Sequence, residues 1–211
     1  MDIQTTNVNG IYIGQLRTIG PDQAPTGIYK AFSDQRHRIE TEGLVDDLQA
    51  DRRVHGGLEK AIYHYPAEHY ALLQEALPHL AEQFVPGAVG ENISTLGLTD
   101  ETVHIGDIFK LGTAVVQVSQ PRRPCWKINH KFGNSHMAAL IMSQAISGWY
   151  YRVLECGEIQ VGDQIEFVER LDNSVSVAEI WQIFLQRLER GENQTRLPPK
   201  IIGLSTEWTF S

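Results

Sequence analysis

At 211 residues, with a formal net charge of −8 and 42% hydrophobic residues, the chain has the makings of one soluble core with a modest appendage. Its acidity argues against a nucleic-acid polymer as partner, and apolar runs such as MAALIM (137–142) are too short to cross a membrane. Its two cysteines, Cys125 and Cys156, exclude a disulfide framework and cannot supply the four thiolates of a typical iron–sulfur cluster.

The opening MDIQTTNVNG has neither the basic region nor the apolar run of a secretory signal, which predicts a cytoplasmic location. GIYIGQLRTI (10–19) and TGIYKAF (26–32) read as strands between glycine and proline punctuation. HGG (55–57) reads as a ligand-facing turn, because paired glycines let backbone N–H groups approach a ligand; the same residues serve equally well as an ordinary turn. AIYHY (61–65) reads as a buried strand. Pro66 suits the first position of the helix PAEHYALLQEAL, and Pro78 stops it. His64 and His69 straddle that join, and no cysteine pair has zinc spacing, so a zinc site is not expected.

ENIST (91–95) and TAVVQVSQ (113–120) read as further strands. VHIGDIFKL (103–111) and IQVGDQIEF (159–167) echo each other: an apolar strand, a Gly-Asp turn and a second strand, a hairpin-like unit used twice. Many short strands with few long helices predict a closed or nearly closed β-barrel in a mostly β, α+β fold. A helix is expected from about Ser135 to Ile146. In the tail, Ser176 and Glu179 form a capping box, flanked by a Val175–Ile180 staple. Val177, Ile180, Trp181, Phe184, Leu185 and Leu188 form one apolar stripe, expected to dock on the barrel rather than to await another protein. LPPKIIGLSTEW (197–208) adds one short helical turn.

Charge is unevenly spread. From Ile108 to Leu154 there is no Asp or Glu, yet the span carries Lys110, Arg122, Arg123, Lys127, Lys131 and Arg152. That segregation predicts an anion-binding site, and cations around Cys125 favour its thiolate, the form that attacks electrophiles and binds metals. Serine-hydrolase, Walker A and dinucleotide fingerprints are absent. A Cys125 dyad with His130 or His136 stays open on composition alone.

RVHGGLEKAIYHYPAEHY, VGENISTLGL, VHIGDIFKLG and VQVSQPRRPCWKIN occur in this order. Together they resemble the MOSC domain, named for the C-terminal domain of molybdenum cofactor sulfurase, and within it the YiiM branch, the 6-N-hydroxylaminopurine resistance proteins. The resemblance implies a MOSC-type β-barrel over residues 1–170 and a shortened C-terminal helical tail over 171–211. It implies that the molybdenum cofactor (molybdopterin) is bound, with Cys125 of the Q-P-R-x-P-C motif both metal ligand and catalytic residue. Arg122 and Lys127 are then the phosphate or pterin contacts, Lys131 an intermediate one, and Arg123 a rim charge. His55, Gly56, Gly57, Glu91 and Asn92 line the site. The activity implied is reduction of N-hydroxylated small molecules, such as base analogues, hydroxylamines and amidoximes, fed by a separate electron-donor protein. A non-catalytic carrier of the cofactor or of sulfur is the alternative.

Overall fold

The computed structural model describes residues 5–50, 56–190 and 201–208. The strands of the first half are β1 (Thr6–Asn7), β2 (Gly10–Gly14), β3 (Arg17–Ile19), β4 (Ala24–Thr26), β5 (Lys30–Ser33), β6 (His37–Glu40) and β7 (Gly43–Leu44). Strand β8 (Ile62–Pro66), helix α1 (Glu68–Ala76), β9 (Ile93–Thr95), β10 (Ile108–Leu111) and β11 (Ala114–Pro121) follow. Helices α2 (Trp126–Phe132) and α3 (Met137–Ser143) precede β12 (Trp149–Glu155), β13 (Gly157–Ile159), β14 (Gln164–Glu169) and helix α4 (Val177–Glu189).

Nine strands form one curled sheet in the order β1-β14-β10-β11-β12-β8-β9-β2-β5, the expected barrel-like α+β architecture. All its pairs are antiparallel except β8 with β9. Among the described residues no helix is long and apolar enough to cross a membrane.

The sheet is buried on both faces, so its central strands carry apolar or aromatic side chains on either side. Period-two alternation sorts them. Ile62 of β8 and Trp149 and Tyr151 of β12 face one cluster, with Val116, Val118 and Ile180. Tyr63 and Tyr65 of β8 and Tyr150 of β12 face the other, with Ile128, Phe132 and Ile141. Tyr63 and Tyr150 stand opposite each other in the register. The candidate site residues Arg122, Cys125, Lys127 and Asn92 line one cleft with this pair.

Three expectations need correction. Pro66 does not begin the helix. It ends β8, paired in parallel with Thr95, and Ala67 takes the N-cap position after donating its N–H to the Thr95 carbonyl. A proline at a strand end removes no needed ladder donor.

The two Gly-Asp units make turns but not hairpins. Asp107 accepts from the His104 N–H at 2.8 Å and Asp163 from the Gln160 N–H at 2.9 Å, each closing a local loop across a glycine with φ near +90°. The strands that follow, β10 and β14, instead pair with each other. The segment before Gly106 is not a strand and makes only a His104–Ser176 bridge. The third correction is to α3, which begins and ends inside the expected range.

The tail behaves as the capping signals predict. The Ser176 hydroxyl accepts from the Glu179 N–H and the Glu179 carboxylate from the Ser176 N–H. Val177, Ile180, Trp181 and Phe184 are buried in the sheet's own cluster, so α4 docks in cis; Leu188, at 44% exposure, lies off the buried stripe. Trp208 stacks edge-on against Trp181 at 5.2 Å. The Trp208 N–H closes a turn onto the Ser205 carbonyl, and Leu197 to Lys200 of the predicted extra turn lie outside the described residues.

His64 is fully buried between Trp149 and Tyr151, with Thr95 and Tyr151 hydroxyls on its two ring nitrogens. Burial pushes its pKa down to about 3. In the unfolded chain it titrates near 6.5, so below that pH the unfolded state binds the extra proton and stability falls until the folded pKa is reached. Acidification from pH 7 to 5 should cost about 2 kcal/mol through this residue. Urea unfolding at the two pH values checks this, with His64→Gln showing the smaller loss.

Candidate functional site

β11 delivers the motif. Pro121 and Pro124 carry no N–H, so the ladder ends here and the chain turns out of the sheet. The Arg122 N–H is still held, at 3.0 Å, by the Gly148 carbonyl. Gly148 has φ +65°, and a Cβ there would stand 2.2 Å from the His64 carbonyl, so only glycine fits. Successive side chains then point opposite ways. Arg122 turns inward, and Arg123 turns onto the tail, with its guanidinium 4.9 Å from the Phe184 ring centre and 4.7 Å from that of Trp208.

Arg122 is 6% exposed. Its guanidinium lies 5.2 Å over the Tyr63 ring and shares a hydrogen bond with Tyr150, while Nη1 is buried with no partner. Burial opposes the charge, but the phenols of Tyr63 and Tyr150 and the Cys125 thiol outweigh it, and the pKa is raised. Burial in turn raises the pKa of Tyr63 and of Tyr150. A buried cation with no carboxylate beside it among the described residues, and with Nη1 unpartnered, has the chemistry to accept an anion.

Arg122, Cys125, Lys127, Asn92, Tyr63 and Tyr150 all line one cleft, together with Lys30 and Lys60. Among the described residues, no Asp or Glu lines it. Cys125 occupies the N-cap position of α2 in an extended conformation, half-buried, with a free thiol. Lys127 is held at the rim by its bond to the Pro25 carbonyl at 2.7 Å.

The other expected residues stand around the cleft in different ways. Lys131 donates to the carbonyl of Ile28, itself a lining residue, at 3.1 Å. Burial lowers its pKa to about 8 despite the opposing pull of Glu91. Glu91 is fully buried and accepts from the Tyr70 hydroxyl at 2.5 Å and the Gly87 N–H at 2.6 Å. Its pKa is raised by burial against those bonds. Its side chain therefore braces the loop behind the cleft. Asn92 stitches two strands, accepting from the Tyr63 N–H and donating to the Tyr12 carbonyl.

Gly57, with φ +85°, makes the turn before the short 3-10 segment Leu58–Lys60 and so sets where Lys60 emerges; Gly56 is buried just ahead of it. His55 lies outside the described residues. Neither histidine offered as a partner for Cys125 lines the cleft, and His130 packs edge-on against Trp126 at 5.2 Å.

Sequence reasoning missed Tyr63, Tyr150, Lys30 and Lys60. The tyrosines sit in strands that read as core. The lysines sit outside the acid-free span, and only the alternation in AIYHY and the step from Gly57 to Lys60 hint at them.

A family model described as "MOSC domain" matches residues 51–166. The chain is 38% identical to Protein YiiM of Escherichia coli (strain K12) over 199 residues, covering 94% of this chain and 88% of that protein. It is also 35% identical to a protein named "Reductase" of Gibberella moniliformis, over 77% of this chain and 29% of the fungal protein. The crystal structure of YiiM from Escherichia coli superposes with a TM-score of 0.77 at 32% identity, covering 97% of this chain and 89% of that one.

The opposed directions of Arg122 and Arg123 separate two effects. Arg122→Met should weaken phosphate binding by about 1.5–3 kcal/mol, the worth of a charged hydrogen bond. Arg123→Ala should leave phosphate binding intact and lower folding stability by about 1 kcal/mol, through its lost ring contacts. Phosphate titration and urea unfolding of both variants check this; Lys127→Ala should resemble Arg122→Met more weakly.

Proposed function

On the premise that this chain belongs to the MOSC domain family, we propose that it is a molybdenum-cofactor-dependent reductase of N-hydroxylated compounds. The carrying observation is the cleft itself: a free thiol at Cys125, beside a buried guanidinium whose Nη1 has no partner, in a lining whose described residues include no carboxylate. The cofactor is a phosphate-bearing pterin dithiolene, an anion with a soft metal. Those are the two properties a thiolate and a cationic cleft accommodate.

Cys125 is the thiolate ligand in this reading. Arg122 holds the phosphate or pterin through its free Nη1, and Lys127 adds a point charge at the rim. Lys131, with its lowered pKa, contributes charge below about pH 8. Tyr63 and Tyr150 keep Arg122 fixed, so little order is lost when the anion arrives. The bound cofactor supplies two-electron removal of the N–OH oxygen. The protein supplies ligation, orientation and access.

Cys156 is exposed, between Glu155 and Glu158, and outside the cleft lining. The fungal relative named "Reductase" agrees with the reaction type. The chain carries no flavin or nicotinamide fingerprint, so electrons come from a separate donor protein. The location proposed is the cytoplasm, where both thiols stay reduced.

The test is expression in a host that makes the cofactor, then molybdenum analysis and assay of N-hydroxylated substrates with an artificial reductant. Cys125→Ser should lose turnover with the fold intact, and Cys156→Ser should keep it. Normal turnover in Cys125→Ser would overturn the ligand assignment. Bound cofactor with no turnover under any reductant would make the protein a carrier instead.

A further inference from the structure

Two of the cleft's lysines already carry carboxylates, and the two pairs differ in kind. Lys30 binds Asp47 at 2.7 Å, with side chains 7% and 3% exposed. Asp47 also accepts from the Gly14 N–H, so it belongs to the framework. Lys60, 7% exposed, binds Glu207 at 2.5 Å, but Glu207 is 48% exposed and comes from the far end of the chain. The segment that brings it, Ile201–Trp208, is fastened close by. The Ser205 N–H donates to the Ser119 carbonyl, Arg152 donates to the Gly203 carbonyl, and Trp208 stacks on Arg123 beside the cleft arginine. The Glu207 charge acts on both Arg123 and Tyr150.

From this geometry we infer that Lys60 is a further anion-binding residue of the cleft and that Glu207 is its built-in competitor, displaced when an anionic ligand group enters. The inference rests on the anionic-ligand reading of the cleft. A half-exposed carboxylate regains water when it leaves, so its release is cheap, whereas Lys60, buried in the lining, needs an anion at all times. The arriving anion inherits Lys60, and the tail segment loses one of its ties to the cleft. Filling the site and loosening residues 201–208 are therefore linked, and by reciprocity a partner that holds the tail away from Lys60 raises affinity for the anion.

The probe is inorganic phosphate, titrated into the full-length protein, with hydrogen–deuterium exchange read on residues 201–208. Glu207→Gln should tighten phosphate binding about fivefold, the upper range for an exposed pair. In the unaltered protein, saturating phosphate should speed exchange in 201–208, and in Glu207→Gln that change should shrink. Lys60→Met should weaken binding, and adding Glu207→Gln to it should restore nothing. Unchanged or weaker phosphate binding in Glu207→Gln, with Arg122→Met still impaired, would overturn this inference and leave the anion cleft standing. No phosphate binding by the unaltered protein, or binding indifferent to Arg122→Met, would overturn both.

Discussion

A guanidinium buried without a carboxylate is the constraint on which the rest of this structure depends. Taking a charge out of water is costly, and a fold tolerates it only where dipoles, π-faces or counter-ions replace the lost hydration. Here the replacement is a tyrosine pair directly opposed across β12 and β8, giving Arg122 a ring face and a phenol. Those tyrosines in turn need the cluster beneath them, which α2 and α3 supply through Ile128, Phe132 and Ile141. The glycine opposite, Gly148, exists because the backbone beside the arginine packs directly on the β8 carbonyl. One charge thus ties together two strands, two helices and a turn, and leaves the Nη1 group without a partner.

The acidic chain resolves its opening contradiction by position. Among the described residues its carboxylates lie outside the cleft lining, and Asp47 and Glu91 are buried in the framework while Glu207 is lent by the tail. The neighbouring arginines of the motif divide the labour, one serving the cleft and the other pinning Trp208. The motif is therefore a joint between cleft and tail.

How much of this was legible in the chain follows from how local each feature is. The capping box at Ser176 and the stripe behind it are local, and the helix formed where they predict. The acid-free span and the order of four short motifs pointed to Cys125, Arg122 and Lys127, which the fold brings to one cleft. Features that depend on a distant partner were not readable. A Gly-Asp pair encodes a turn, but nothing near it names the strand's partner, so β10 and β14 were each assigned to the wrong neighbour. Tyr63 and Tyr150 look like core in sequence because they are core on every side but one. Glu91 sits in a glycine-flanked motif, yet its Oε1 accepts from Tyr70 and Gly87 in the loop behind the cleft, and its Oε2 is buried with no partner. Lys60 and Glu207 meet only in the finished fold.

The pairing of β1 with β14 has a consequence for how the protein is made. The ribosome releases Thr6 and Asn7 first, and their sheet partners, Gln164 and Ile165, emerge only after most of the chain. Strands β10 and β14 are separated in the same way, and the cover for the sheet's inner face, α4 and Trp208, comes later still. Long-range pairings of this kind fold slowly and leave intermediates with bare apolar strands. The nascent chain therefore carries Val116, Val118 and Trp149 uncovered until α4 and Trp208 have left the exit tunnel, an interval in which chaperone capture competes with aggregation.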